Sequence, residues 1–495
     1  MLALLIGVAL FSRFGLDEEL RRDEAIYAYG GQQLAEGVPP YVSILDPKTP
    51  LATFLSGGAV IIGRAAGVDD LYAIRLAFFG LACLTVLAVY FAGMALFKSS
   101  LVGLVAAATF ATFKGFAIDA LGGPNAKTPG ILFAVLATAL LVRRRWFWAG
   151  FASSLALLVW QPLAIYALVA VAAAWLGSER DERVRHALHA VAGAAIPGLA
   201  VLVYFLAAGA LGPLIEGALL LPLTGTERGE TTLPGRIGHI ASIVASDYGF
   251  SAIFFWSGLF MLLLLAGHRV WRERPRPGAL AREPLITVIL PPLLFITAFS
   301  LVDFQGYPDA YPFLPLAALG VAGGVAAGLG FLEVRGVRPA AVALASAGTV
   351  ALVVATWTSY SQPRPEAGAL VAQRMQAAVA EQILGDEGTV YALGNSAPIV
   401  LMQRTNPSPN IYLAAGVDQW IIDHTPGGFD GWTNQIAAGT PDMVISNGWT
   451  GAYAARMRDW LHAHYSIVRI GGDPFFVTPE LHERAVSAGV AASPR

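Results

Sequence analysis

Long apolar stretches separated by short polar connectors run through the first 357 residues of the chain. Runs near or above the ~18 residues that a helix needs to cross a bilayer recur along this part. Trp160, Gln161 and Pro162 interrupt the run 146–176, so we predict two spans with a tight turn there, because proline removes a helix hydrogen bond. The eleven predicted spans are 1–16, 75–97, 101–118, 129–142, 146–160, 163–177, 190–211, 250–267, 284–302, 313–332 and 339–357.

The arginine-rich connectors set the predicted topology. They lie at 143–145, 180–185, 269–282 and 335–338, whereas the alternate connectors 160–162 and 302–312 contain no Lys or Arg. By the positive-inside rule the arginine-rich set is cytoplasmic. This assignment holds only if the apolar run 51–63 does not cross the membrane. We therefore interpret 51–63 as a re-entrant or juxtamembrane helix within one long external segment, residues 17–74.

The composition changes after residue 358. Residues 1–358 are predicted to form the membrane domain, 359–368 a proline-containing linker, and 369–495 a soluble α/β domain outside the cytoplasm. Alternating elements in the last part predict a small sheet with helices packed on it. The predicted helices are 369–384, 429–438 and 452–464, and the predicted strands are 389–393, 410–413, 443–446, 466–470 and 475–478.

Composition supports the membrane assignment and excludes several function classes. The chain is 56% hydrophobic and 13% charged, whereas soluble domains are about 45–50% apolar and about 25% charged. A net charge of −2 gives no basic balance that would favour nucleic acid as a partner. Cys83 is the single cysteine, so there is neither a disulfide framework nor a thiolate metal site. Phosphate-loop motifs are missing, which disfavours an ATP-driven pump.

The external segment holds charged residues that are costly to keep beside a membrane and therefore indicate a functional site. Asp23 and Glu24 open a predicted helix, 23–36. A carboxylate here can accept a proton from an acceptor hydroxyl and act as a general base. Two alternatives remain open: an acid that only complements the helix dipole, or part of a divalent metal site, for which two carboxylates without histidine are weak evidence.

Two further charged residues could act with Asp23. Lys48 lies between Pro47 and Pro50, where the backbone has few conformations, and a fixed cation suits a phosphate; contact with lipid headgroups is the alternative. Asp119 follows the third predicted span on the same side of the membrane. It is either a helix-end residue that meets water or a second acid of the site, since paired acids can take distinct roles.

Residues later in the chain could contribute to a site on the same side of the membrane. The turn 303–312 contains Gln305 and two acids that could line a sugar-sized pocket, while Tyr307 and Tyr311 are also explained as an interfacial aromatic belt. The predicted loop 212–249 is a candidate lid. Its charged residues are Glu216, Glu227, Arg228, Glu230 and Arg236.

Four motifs together resemble a known family. They are Asp23-Glu24 with Tyr27, then Leu34 to Gly37 with Tyr41, then Asp46 to Leu51, and then Ala73 to Leu76. This arrangement resembles the first external loop of C-type, multi-spanning glycosyltransferases, most closely the branch of protein O-mannosyltransferases and lipid A aminoarabinose transferases. Thr49 stands where that family usually has the first of two prolines. The segment 311–316 resembles a later Tyr-x-x-x-Pro-Leu step of the same branch.

The resemblance covers about residues 15–320 and implies a specific function. Such enzymes sit in the cytoplasmic membrane and transfer a sugar from a polyprenyl-phosphate donor to a lipid, glycan or protein acceptor outside it, with inversion. By that analogy Asp23 is the general base, Asp119 orients the acceptor or carrier, and Lys48 binds the donor phosphate. Glu24, Tyr27, Tyr41, Gln305 and Tyr311 are then candidate substrate-binding residues.

Two other functions stay open at this point. A lipid-linked saccharide flippase would be expected to carry polar residues at mid-membrane depth and repeated discontinuous helices. A non-catalytic envelope protein would use its soluble domain to bind a partner. No metal or other cofactor is assigned from the sequence, and the sugar and acceptor are not specified by it.

Overall fold

The computed structural model describes residues 1–224, 232–273, 277–362, 368–414, 416–490 and 492–493. The described residues up to 360 are mainly helical. In chain order its α-helices are α1 Leu2–Phe11, α2 Arg22–Ala35, α3 Leu51–Ala65, α4 Asp70–Phe97, α5 Ser100–Ala111, α6 Lys114–Gly122, α7 Lys127–Val142, α8 Trp146–Leu157, α9 Ala164–Leu176, α10 Arg183–Ala207, α11 Leu211–Ile215, α12 Leu221–Thr224, α13 Leu233–Tyr248, α14 Ala252–Glu273, α15 Pro277–Leu280, α16 Leu290–Ser300, α17 Phe313–Val334 and α18 Arg338–Tyr360.

The helical part is that of a polytopic membrane protein, as predicted. Among the described residues, five helices are long and apolar enough to cross a bilayer. They are Asp70–Phe97, Arg183–Ala207, Leu233–Glu273, Tyr307–Val334 and Arg338–Tyr360. Shorter apolar helices, including α1, α3 and α7 to α9, pack beside them. The count of eleven spans remains a prediction.

Close helix contacts depend on glycine. Gly193 of α10 lies against the Phe147 carbonyl of α8, and Gly320 of α17 lies against the Gly258 carbonyl of α14. A β-carbon at either glycine would overlap the opposing backbone. In lipid no hydrophobic force drives helices together, so small residues that allow close backbone approach stabilise the bundle through packing.

Two predicted segments differ from the structure. The predicted span 101–118 is two helices, α5 and α6, which meet at an angle of 72°. The Thr112 hydroxyl donates to the Thr109 carbonyl at 2.7 Å and Phe113 is extended, which ends α5 there. The predicted loop 212–249 contains α11, α12 and α13 instead. Its residues Glu227, Arg228 and Glu230 lie outside the described residues.

The turn predicted at Trp160–Pro162 is confirmed, because a single 3₁₀ turn at Gln161–Leu163 separates α8 from α9. The apolar run 51–63 forms α3, a 15-residue helix with a half-buried apolar surface, and it packs against α2. Gly57 makes this packing close, since a β-carbon there would overlap the Leu34 side chain.

The C-terminal α/β region contains a five-stranded sheet of order β1-β2-β4-β3-β5. β1 and β2 are parallel, and the other pairs are antiparallel. Its elements are α19 Ala369–Leu384, β1 Val390–Leu393, α20 Ala397–Met402, α21 Val417–His424, α22 Gly428–Ala438, β2 Met443–Ser446, α23 Ala454–His464, β3 Ser466–Ile470, β4 Asp473–Val477, α24 Pro479–Ser487 and β5 Ala492–Ser493. In the preceding segment, predicted as the linker 359–368, residues 363–367 lie outside the described residues.

One predicted strand is wrong. Residues 410–413 form no strand, although Ile411 accepts one backbone hydrogen bond from Gly394 at 2.6 Å. The Asn406 side chain accepts the hydrogen bond of the Ala392 N–H at 2.6 Å. This side-chain bond occupies a donor of β1 that a neighbouring strand would need, so a second ladder does not form there.

Candidate active site

The first turn of α2 separates two adjacent acids. Acidic residues at a helix start are favoured by the dipole, and here they point in different directions. The Asp23 side chain is 56% exposed, and its one ion pair within the described part of the chain is with the Arg22 Nε atom, at 3.2 Å. Glu24 is buried, and its Oε1 atom lies 2.7 Å from Arg21 Nη2. Of the two, Asp23 is therefore the one that is open to solvent.

The loop that carries Lys48 is held by hydrogen bonds to its backbone. The Tyr41 hydroxyl donates to the Lys48 carbonyl at 2.7 Å, and the Lys48 N–H donates to Asp46 Oδ1 at 3.1 Å. Gln161 donates to the Pro47 carbonyl at 2.8 Å. Thr49, where the resembling family has proline, donates its hydroxyl to the Leu157 carbonyl at 2.8 Å. These bonds fix the backbone of the loop that carries Lys48.

The Lys48 ammonium is a cation without a carboxylate partner. Among the described residues it forms no ion pair, and it lies 5.7 Å from the centre of the Tyr27 ring. Burial lowers the pKa of Lys48, but Tyr27, Asp46 and other neighbours outweigh this effect, so the pKa is raised well above its usual value. Burial also raises the pKa of Asp46. Lys48 thus stays protonated and available to an anion.

Asp119 is fully buried and both of its carboxylate oxygens are occupied. Oδ1 pairs with Arg21 and accepts a hydrogen bond from the Tyr307 hydroxyl at 2.7 Å. Oδ2 accepts from Tyr311 at 2.6 Å and from Asn125 at 2.8 Å. The sequence alternative of a helix-end acid that meets water is therefore wrong. The bend between α5 and α6 turns this residue inward.

The turn 303–312 packs onto the same network. Tyr311 is fully buried and its hydroxyl also donates to the Gly115 carbonyl at 2.9 Å, so the interpretation of Tyr311 as part of an interfacial belt is wrong. Asp309 pairs with Lys127 and accepts the Gln305 N–H at 2.7 Å. The Gln305 side chain itself points to Asp303, at 3.2 Å. Gln305 thus lies at the edge of the network and not within it.

Arg21 lies between the two buried acids, Glu24 and Asp119, and it was not singled out from the sequence. Its guanidinium contacts Glu24, Asp119 and the Tyr307 hydroxyl. Burial raises the pKa of Glu24 to about 8; Arg21 lowers it in part, and Asp119 raises it again. The Glu24 Oε2 atom is buried without a hydrogen-bond partner. The signal available in the sequence was the Arg21-Arg22 pair directly before the acids.

The described residues contain no group of three His, Cys, Asp or Glu side chains that could hold a metal ion. Asp23 and Glu24 point apart, so they do not form a two-carboxylate site by themselves. Asp46 is the third acid of this segment, and its Oδ1 atom already accepts a hydrogen bond from the Lys48 N–H. The candidate site therefore offers one exposed acid, Asp23, and one ammonium group, Lys48, that has no ion-pair partner in the described part of the chain.

The C-terminal α/β region contacts the start of α2, next to Asp23. Arg22 Nη1 donates to the Gly448 carbonyl at 2.8 Å, and its guanidinium lies 5.4 Å from the centre of the Tyr412 ring. Arg374 of α19 pairs with Asp69 at 2.8 Å, which further joins this region to the start of α4. The sequence motifs ended before residue 320, and nothing in them pointed to Tyr412 or Gly448.

The chain shares its fold with two solved proteins, and at the level of the fold the resemblance drawn from its motifs is confirmed. It is similar to ArnT from Cupriavidus metallidurans in the apo state, with a TM-score of 0.61 and 14% identity over 99% of this chain and 97% of ArnT. The same protein bound to undecaprenyl phosphate gives a TM-score of 0.59 and 14% identity over 100% and 99% of the two chains.

A third similar structure is the archaeal oligosaccharyltransferase AglB from Archaeoglobus fulgidus in complex with an inhibitory peptide and a dolichol-phosphate. It gives a TM-score of 0.51 and 14% identity over 96% of this chain and 73% of AglB. No protein-family model matches the sequence, and no curated protein matches it by sequence.

Proposed function

We propose that the chain is a membrane glycosyltransferase that moves a sugar from a polyprenyl-phosphate donor to an acceptor hydroxyl. One observation carries the proposal: the Lys48 ammonium, which has no ion-pair partner among the described residues, lies 5.7 Å from the centre of the Tyr27 ring, one helix turn after the exposed Asp23 carboxylate on α2. ArnT, which shares the fold, has been observed with undecaprenyl phosphate bound, and AglB with a dolichol-phosphate. These complexes support a lipid-linked donor.

The proposed reaction is a single displacement. The Asp23 carboxylate takes the proton of the acceptor hydroxyl, whose oxygen attacks the anomeric carbon. The bond between that carbon and the phosphate oxygen breaks, and the polyprenyl phosphate leaves with the bonding electrons. Lys48 stabilises the negative charge that develops on the phosphate, because a fixed cation in a partly desolvated site requires no reorganisation. Inversion at the anomeric carbon follows from a single displacement.

The other predicted residues take supporting roles in this proposal. Tyr41 and Asp46 hold the Lys48 backbone, so they position the cation. Asp119, whose oxygens are all occupied, holds Arg21 and the two tyrosines of its network, and so acts through them. By the charge of the connectors, the site and the C-terminal α/β region lie on the extracytoplasmic side of the cytoplasmic membrane.

The proposal is tested with the full chain reconstituted in proteoliposomes. Undecaprenyl phosphate serves as the binding probe, and transfer is followed from a radiolabelled polyprenyl-phosphate sugar to a membrane extract. Lys48→Ala is expected to weaken binding of the probe. Asp23→Asn is expected to keep binding and to lower transfer by about 100-fold or more, the usual effect of losing a general base.

Lys98→Ala is the matched control, because Lys98 is exposed at the end of α4, away from the candidate site. It is expected to leave binding and transfer unchanged. Full transfer by Asp23→Asn would contradict the role of Asp23. Movement of the lipid across the bilayer without any transfer would instead favour a flippase.

A further inference from the structure

A cavity of about 390 Å³ lies where the ends of several membrane helices meet. The last turns of α4, α7, α9 and α14 border it, together with the start of α8 and the π-helical turn Leu285–Ile289. The opposite end of α4 is the one that contacts the C-terminal α/β region, through the pair of Asp69 with Arg374. Because α4 has 28 residues, its two ends are about 42 Å apart. The cavity is therefore separate from the candidate active site.

The floor of the cavity is apolar. It is lined by Leu141, Trp146, Ala173 and Val288, which belong to one buried hydrophobic cluster although they come from four different segments of the chain. Two of the bordering helices, α4 and α14, belong to segments that are long and apolar enough to cross a bilayer. A cavity at the ends of such helices lies near the boundary between the acyl chains and the headgroups of the bilayer.

The rim of the cavity is basic. Three exposed arginines line it, in the connection after α7, in the last turn of α14 and shortly after α15: Arg144, Arg269 and Arg282. Glu283 is the acid among the lining residues. Within the described residues, Arg144 and Arg269 form no ion pair. Arg282 pairs with Glu179 at 3.4 Å, and Glu179 is not part of the lining. The rim thus keeps positive charge that the chain itself does not neutralise.

Arginines of the other two connectors are arranged differently. Arg185 pairs with Glu182, and Arg338 pairs with Glu333, so a neighbouring acid offsets each charge. All four connectors are rich in arginine, as the positive-inside rule requires of a cytoplasmic face. The rule does not require unpaired arginines around an apolar cavity, and this combination therefore needs a reason of its own.

The backbone at Arg144 gives a second indication. Its φ is 56°, in the left-handed region, and the position just beyond a helix with such a φ usually holds glycine. A residue with a β-carbon costs about 1–2 kcal/mol in that conformation. The chain therefore places an arginine on the rim of the cavity at a position where the backbone favours glycine.

We propose that this cavity binds the phosphate of an anionic phospholipid from the surrounding membrane. The planar guanidinium group presents a fork of N–H donors that matches phosphate oxygens. The apolar floor would contact the upper part of an acyl chain, which a free phosphate ion does not have. Basic pockets between membrane helices on the cytoplasmic side are suited to such headgroups. The inference is independent of the proposed function, because it concerns the other end of α4.

The test measures Kd values for the full chain in a neutral detergent with three probes. They are phosphatidylglycerol, phosphatidylcholine with the same acyl chains, and inorganic phosphate. The wild-type chain is expected to bind phosphatidylglycerol at least tenfold more tightly than either other probe. The double variant Arg144→Gln/Arg269→Gln is expected to raise the Kd for phosphatidylglycerol about tenfold, since it removes hydrogen bonds to a charged group, and to leave the Kd for phosphatidylcholine unchanged.

Arg185→Gln/Arg338→Gln is the matched control. It removes the same number of exposed arginines from the same predicted side of the membrane, but neither of them lines the cavity. Its Kd for phosphatidylglycerol is expected to equal that of the wild-type chain. An equal loss in both double variants would mean that the whole basic face attracts lipid, and it would overturn the inference. Equal affinity of the wild-type chain for inorganic phosphate and phosphatidylglycerol would also overturn it.

Arg144→Gly distinguishes lost binding from a damaged fold. Glycine suits the φ of 56° at this position, so the melting temperature without added lipid is expected to stay the same or to rise. The Kd for phosphatidylglycerol is nevertheless expected to increase, because one of the three arginines is gone. An unchanged Kd in both Arg144→Gly and the Arg144→Gln/Arg269→Gln variant contradicts the proposed lipid site.

Discussion

The Arg21 guanidinium forms an ion pair with the Asp119 carboxylate, which joins the start of α2 to the short helix α6. The Asp119 side chain is fully buried, whereas that of Arg21 is 35% exposed. The pair connects two segments that are 98 residues apart in the chain. Because α2 carries Asp23, the ion pair fixes the orientation of the candidate base relative to the membrane helices.

Asp119→Asn is expected to destabilise the protein by about 1–3 kcal/mol, because it removes the buried negative charge that pairs with Arg21 and accepts hydrogen bonds from Tyr307 and Tyr311. Reversible unfolding in mixed micelles measures the change. Asp430→Asn makes the same chemical change in an exposed pair with Arg456, whose Asp430 side chain is 78% exposed. This control is expected to cost about 1 kcal/mol or less. Equal effects of the two substitutions would mean that the network does not stabilise the fold.

The raised pKa of Glu24 predicts that the stability of the folded chain depends on pH. Its pKa is raised from 4.5 to about 8 in the folded chain, chiefly by burial. A carboxyl group with a raised pKa contributes stability that is fully present below pH 4.5 and is lost as the pH rises towards 8, because only the unfolded chain then releases the proton. Glu24→Gln is expected to flatten the decrease in melting temperature between pH 5 and pH 8.

Glu36→Gln serves as the control for Glu24→Gln. It lies at the end of the same helix, its side chain is 48% exposed, and it pairs only weakly with Arg64, at 3.4 Å. The pH profile of this variant is expected to follow that of the wild-type chain. A Glu24→Gln variant whose melting temperature keeps the wild-type slope would show that Glu24 is ionised in the folded state.

Gly193 is expected to be intolerant of a side chain. Gly193→Ala would push a β-carbon into the Phe147 carbonyl and separate α10 from α8, which costs about 1–3 kcal/mol or more for overpacking. Gly198 is in the same helix, and a β-carbon there would meet nothing within 4 Å. Gly198→Ala is expected to be neutral or to stabilise α10, since alanine is the better helix former. Melting temperatures of the two variants in detergent distinguish them.

Local patterns were sufficient for many elements. The helix 369–384 and the strands 443–446 and 466–470 have the predicted bounds, and α2 differs from its prediction by one residue at each end. Each of these carries a clear apolar period within its own sequence. The bend at Thr112 and Phe113 was missed because both halves are apolar, and hydropathy alone does not distinguish a straight helix from a broken one.

By itself the sequence predicted the polytopic membrane fold and the candidate residues Asp23 and Lys48, because apolar length, charged connectors and short motifs are local properties of the chain. Only the tertiary structure decided how the acids differ: Asp23 is exposed, while Asp119 is buried within bonds from Arg21, Tyr307 and Tyr311. It alone also brought the Tyr412 ring next to the Arg22 guanidinium. Burial and hydrogen bonding depend on segments far apart in the chain, and no local pattern encodes which of them meet.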